Sequence, residues 1–192
     1  MSSESTSSAP LERNAAPRLL PNGLGAFSIF VWGVFGVIAL LAQAMYRLTP
    51  LALEPLLERR LTPIQASIYV AWVVTNLYAE GYRGFHKRFS PRVIARALYL
   101  AGRPRFSHVL FAPAFCMSLF HATRRAVITA WSVTTSIFIF ILLAPRLPQP
   151  WRGILDGGVV VGLAAGTLSI LYFFSRALRG EPVDVPANLP PA

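Results

Sequence analysis

The chain has one cysteine, one lysine and eight acidic residues among 192. A lone cysteine excludes an internal disulfide and any multi-cysteine metal site. Cys116 sits between Phe115 and Met117 and reads as a small buried apolar residue. The scarcity of carboxylates leaves little for two-carboxylate acid/base chemistry; Glu80 is the acidic residue read as lying in or near an apolar run. There is no HExxH, no phosphate-cradling glycine loop and no GxSxG. The three histidines do not make a ligand set either. His108 and His121 are thirteen positions apart, which on a continuous helix leaves them on different faces. His86 lies in an interfacial-looking run with Gly84, Phe85 and Lys87. No catalytic residue and no metal site is expected; a haem held by a histidine is the lesser alternative.

Apolar residues, by contrast, make up 54% of the chain, and the mean hydropathy is +0.51. About 20 apolar residues at 1.5 Å per residue cross a hydrocarbon core of about 30 Å. Four runs meet that length: residues 24–46, 64–82, 126–144 and 154–175. The expected fold class is therefore an all-α integral membrane protein with four transmembrane helices and interfacial amphipathic helices between them. The membrane domain is read as 24–180. It lies between an unstructured Ser/Ala/Pro-rich tail at 1–23 and a Pro-rich tail at 181–192.

Taken in order, the first span carries Gly33, Gly36 and Ala39 near one face, with Gln43 one turn further on. Small residues let helices approach closely in lipid, and a buried amide seeks a partner across the contact. Residues 47–62 hold prolines and leucines and read as a short helix on the membrane surface. Thr62-Pro63 is a start signal for the second span, with threonine as N-cap and proline in the first turn. Near its end Asn76 and Glu80 are one turn apart and continue as a stripe into Arg83 and Lys87. Glu80 is expected near the interface, paired with Arg83.

The segment 91–123 is the main amphipathic element. Ser90-Pro91 repeats the start signal, and Gly102 with Pro104 stops the helix. Val93, Ile94, Ala97, Leu98 and Ala101 share one face; Arg92, Arg96, Tyr99 and Arg103 share another. That pattern fits a helix in the headgroup plane. Residues 107–123 are apolar but interrupted by Pro113 and closed by Arg124-Arg125. They are placed at or just below the interface; a re-entrant turn and a cytoplasmic extension of the third span remain alternatives. Arg92, Arg96, Arg103, Arg105, Arg124 and Arg125 are the candidate contacts to anionic headgroups or to a partner protein.

In the third span Thr129, Ser132 and Ser136 share a face, read as packing polar groups. In the fourth, Gly158, Gly162 and Gly166 recur every four residues, a stripe against which another helix, of this chain or of a second copy, should pack closely. Gln43, Asn76 and Glu80 are the candidate polar groups inside the membrane.

With four spans, the side holding both tails and the middle segment carries thirteen cations against five on the other. The positive-inside bias then puts both termini in the cytoplasm, the membrane being a bacterial inner (plasma) membrane. The net charge of +10 flanks apolar runs, so it argues for lipid rather than nucleic acid. The functional expectation is a non-enzymatic multi-pass protein with a subunit, assembly or scaffold role. Its partners would be membrane lipids, a second copy or a larger membrane complex. The alternatives are a small oligomeric transporter or channel unit, and a membrane enzyme or haem/redox protein using Glu80 and a histidine.

Overall fold

A computed structural model describes residues 23–58, 61–182, 185–187 and 189. The expected N-terminal tail therefore lies almost entirely outside the described residues, as do Arg59 and Arg60 of the first connection. All regular structure among the described residues is helical: α1 (Leu24–Leu57), α2 (Pro63–Asn76), a π-helical stretch (Leu77–Phe89), α3 (Ser90–Gly102), α4 (Phe106–Leu110), α5 (Ala112–Cys116), α6 (Arg124–Leu143) and α7 (Trp151–Leu178).

Three helices are long and apolar enough to cross a membrane: Leu24–Leu57, Arg124–Arg146 and Trp151–Leu178. The expected second span, 64–82, is not a single α-helix. Pro63–Asn76 is α-helical, and the 13 residues of Leu77–Phe89 widen into the π form. This is the stretch where Glu80, Arg83, His86, Lys87 and Arg88 interrupt the apolar run.

Two expected breaks are absent. The first span does not end at Tyr46: α1 runs 34 residues, through Pro50 and Pro55. A proline inside a helix removes one N–H and leaves the carbonyl a turn earlier without its partner. Pro55 orphans the Leu51 carbonyl, which instead accepts from Gln149 Nε2 at 3.4 Å. The Thr49 hydroxyl donates to Met45 O at 2.7 Å and the Tyr69 hydroxyl to Ala52 O at 3.2 Å, so the greasy connection is stitched into the bundle. The expected surface helix over 47–62 is the end of α1. The second missing break is at Ser90-Pro91. Ser90 keeps helical dihedrals (φ −58, ψ −47) and bonds back to Phe85 O, so no new helix is capped there. The start at Thr62 is a complete capping box: Gln65 N–H donates to Thr62 Oγ1 at 3.3 Å, and Thr62 N–H to Gln65 Oε1 at 3.0 Å.

The core joins Phe30, Val34 and Val37 of α1 to Val93, Ile94, Ala97 and Leu100 of α3, with Phe115 from α5 and Ile170 from α7. Gly33 faces the Cys116 sulfur, Ala97 and Ala112, and a Cβ on Gly36 would come within 2.3 Å of Pro113. The small-residue face of α1 thus receives the short α5 segment. α5 meets α1 roughly 13–18 Å from its first residue, at 1.5 Å per residue, and also packs on α3, whereas Phe106, Leu110 and Phe111 of the preceding turn are exposed.

α6 is built differently. Ala126 is its one buried residue among the described chain. Ile128, Trp131, Ile137, Phe138, Ile141 and Leu142 are each more than half exposed. α1, α2, α3 and α7 pack on one another, and α6 leaves them as a separate rod.

Candidate functional site

The glycine stripe of α7 meets the second helix of the same chain. A Cβ on Gly157 would strike the Tyr69 hydroxyl at 2.3 Å, one on Gly158 would lie 2.4 Å from Trp72 Nε1 and 2.7 Å from Asn76 Nδ2, and one on Gly162 would lie 2.7 Å from Glu80 Oε2. Further along, Gly166 faces Phe85, and His86 Nδ1 hydrogen-bonds with Ser169 Oγ at 3.0 Å. The contacts advance in the same direction on both elements. Pro63–Phe89 and α7 therefore run parallel, and their seam carries a file of polar groups.

Along this seam Asn76 is buried and donates to the Trp72 carbonyl of its own helix at 2.8 Å. Glu80 lies nowhere near the end of α7. Gly162 stands eleven residues into a 28-residue helix, so the carboxylate sits close to its middle. The expected Glu80–Arg83 ion pair does not form among the described residues. Widening of the turn to the i+5 pattern changes which side chains stack, and an i, i+3 pair no longer lies vertically aligned. Gln43, placed with these two by the sequence, is exposed on α1 and does not join them. Glu80 and His86 face positions seven residues apart on α7, about 10 Å by helical rise, so they do not share one cleft.

Sequence reasoning passed over a second carboxylate within the fourth span. Asp156 is fully buried, and neither of its side-chain oxygens has a hydrogen-bond partner among the described residues. Arg152 Nε stands 3.7 Å away, beyond direct hydrogen-bond reach. The signal was a charge inside an apolar run of α7, one turn after Arg152. It was masked by the glycines that follow.

The Arg-rich face of α3 is not uniform. Arg103, Arg105, Arg124 and Arg125 are exposed and Arg92 is half-buried, but Arg96 points inward and is wholly buried. Its placement among the surface arginines is therefore corrected. Arg96 Nε donates to Phe115 O at 2.6 Å, Nη1 to Ala187 O at 2.8 Å, and Nη2 to both Phe120 O and His121 O at 3.1 Å. The guanidinium also lies 4.2 Å from the centre of the Phe115 ring. No carboxylate neutralises it among the described residues. Burial lowers its pKa to about 10, so it remains a cation at neutral pH. It satisfies carbonyls of an irregular loop that no helix can satisfy, and it ties the C-terminal segment to that loop.

That loop also corrects the histidine reading. Because α4 ends at Leu110 and the chain turns back through Ser118 (φ 64) and His121 (φ 50), His108 and His121 come together with ring centroids 4.7 Å apart. Burial first, then the neighbouring His121, Arg105 and Arg96, hold the His108 pKa below its ordinary value. Cys116, in α5, is buried with its sulfur facing Gly33 of α1, and burial pushes its thiol up to about 12. No group of three or more metal-ligating side chains occurs among the described residues. The chain matches no family model, no curated protein and no solved structure.

Proposed function

We propose that the chain is a non-enzymatic, four-span membrane protein that serves as a subunit or scaffold of a larger membrane assembly, with α6 as its docking rod. One observation carries this reading: α6 is apolar enough to span, yet buries only Ala126 within its own chain. Lipid alone can solvate such a rod, but α6 also displays Ser132 and Ser136 on an exposed face, four positions apart. Small residues at that spacing admit a second helix at close range. The Ser132 hydroxyl bonds to nothing among the described residues, whereas Thr129, Thr134 and Ser136 bond back to carbonyls of their own helix.

The fourth crossing is supported by the parallel seam: a rod that follows α7 from Gly157 to Ser169 shares its depth. The cation excess supports cytoplasmic termini in a bacterial inner membrane. The exposed Arg103, Arg105, Arg124 and Arg125, with the half-buried Arg92, would hold anionic headgroups or the cytoplasmic part of a partner. Arg96 has no part in that contact. The test is cysteine cross-linking in native membranes from Ser132→Cys and Ser136→Cys, with Val70→Cys on the outer face of α2 as control. Adducts from the α6 positions alone support the reading. Their absence, together with migration as a monomer after gentle extraction, removes it.

A small transporter unit is the second reading, favoured by Glu80 alone, whose carboxylate stands unpaired halfway along α7. A lone carboxyl at that depth is a site for a proton or cation. A hydrophobic carbodiimide should then modify Glu80 and spare the Glu80→Gln protein; no modification eliminates this reading. The haem reading finds no paired axial histidines along the spans, and the absorbance spectrum of the purified protein tests it directly.

A further inference from the structure

One cleft opens at the far end of the polar seam, where His86 lines it, and lies apart from the exposed arginines. It has a volume of about 300 Å³ and opens where the π-helical stretch, the start of α3 and the end of α7 meet under the C-terminal segment. Tyr82, His86, Lys87 and Arg176 line it, and Pro182 and Val185 form its outer wall. The charged side chains among its described lining residues are Lys87 and Arg176, both cationic. Lys87 has no carboxylate partner among the described residues, and its ammonium rests over the Tyr82 ring at 5.0 Å. Arg176 is engaged by one oxyanion, the Glu181 carboxylate, which accepts from its Nε. Glu181 belongs to the segment that walls the cleft, so the chain supplies its own anion at the edge of a pocket with two cations. His86 is held in place by Ser169 and by stacking on Tyr82 at 5.9 Å between centroids. It can add a ring N–H to the same space.

We propose that this cleft is a binding site for a phosphoryl anion, and that Glu181 competes for it. The chemistry fits a tetrahedral anion with several acceptor oxygens: an ammonium, a guanidinium and an imidazole converge on one small volume, and the anion already present is the weaker, planar carboxylate. The phosphoryl group can come from a lipid headgroup, the acyl chains leaving along the aromatic outer face of α7, or from a soluble phosphate. This inference does not depend on α6 or on the exposed arginines of the middle segment.

The test is calorimetric titration of the full-length protein in detergent with three probes: dihexanoyl-phosphatidylglycerol, inorganic phosphate and, as neutral control, dihexanoyl-phosphatidylcholine. One saturable site for an anionic probe is expected. Lys87→Gln and Arg176→Gln should each weaken it about tenfold or more, the scale of one lost charge-assisted contact. Glu181→Gln should tighten it several-fold by removing the internal competitor. Binding of phosphatidylglycerol alone identifies a lipid headgroup site; equal binding of inorganic phosphate identifies a soluble ligand. Arg103→Gln with Arg105→Gln should leave the saturable site intact even where it reduces salt-sensitive attachment to anionic vesicles. The proposal is overturned if neither anion saturates, if phosphatidylcholine binds equally, or if binding is indifferent to Lys87→Gln in protein whose Cys116 remains protected from thiol reagents.

Discussion

Replacing Arg96 by leucine tests whether a buried cation, rather than apolar contact, fixes the segment 106–123. The guanidinium makes four hydrogen bonds to backbone carbonyls at 2.6–3.1 Å. Leucine would leave the Ala187, Phe120 and His121 carbonyls unsatisfied at about 1–3 kcal/mol each, less whatever water recovers, while Phe115 O keeps the Ser118 N–H at 3.0 Å. In the opposite sense, it relieves the desolvation of a buried cation, itself several kcal/mol. The net expectation is a loss of about 3 kcal/mol, or about 6–12 °C in Tm for a chain of this length. Arg96→Lys should fall between, because an ammonium has three donors on a narrower fork. The reporter is built in. Cys116 is the single cysteine, is 1% exposed, and has a thiol pKa raised to about 12, so it reacts only when the segment opens. At the expected loss, its labelling under native conditions should accelerate about a hundredfold, since 1.4 kcal/mol is a factor of ten. Arg103→Leu, on the exposed side of the same helix, should change labelling by less than threefold. If Arg96→Leu labels at the wild-type rate and melts within 1–2 °C of it, roughly the noise of such a scan, the clamp is not holding the loop.

Three other outcomes follow from the packing. Gly158→Ala should destabilise more than Gly162→Ala. The first Cβ meets the rigid Trp72 indole at 2.4 Å, and the second meets the far end of the flexible Glu80 chain at 2.7 Å. About 1–3 kcal/mol is expected for Gly158 and under 1 for Gly162, read by thermal denaturation. Gln149→Leu removes the donor to Leu51 O and Glu54 and the acceptor of Gly153 N–H. It should cost about 1–3 kcal/mol and raise protease sensitivity at the α1–α2 connection. Acidification should weaken the fold through His108. Its folded pKa lies below the ordinary 6.5, so the unfolded chain binds the proton more readily. That contribution is fully present above about pH 6.5 and is lost as pH falls below it. A Tm series from pH 8 to 5 should decline less steeply in His108→Gln; an unchanged slope would show that the pair does not couple to folding.

The sequence determined the material of this protein. Long apolar runs with cations at their flanks can only be helical where water is excluded, because every backbone polar group must be satisfied within its own segment. α1, α6 and α7 were legible for that reason. So was the start of α2, since the Thr62-Pro63-Ile64-Gln65 cap is written in four adjacent residues. The tertiary structure decided what depends on distant neighbours. α1 passes its prolines because Gln149, almost a hundred residues away, donates to the orphaned carbonyl of Leu51. Arg96 lies inside, although its spacing matches the surface stripe, because the carbonyls of a turned-back loop need its donors more than solvent does. Glu80 sits midway along α7, because Gly162 is where a parallel helix can bring it. Periodicity reports which face of a helix a residue occupies; it carries no information on what another segment will lay against that face.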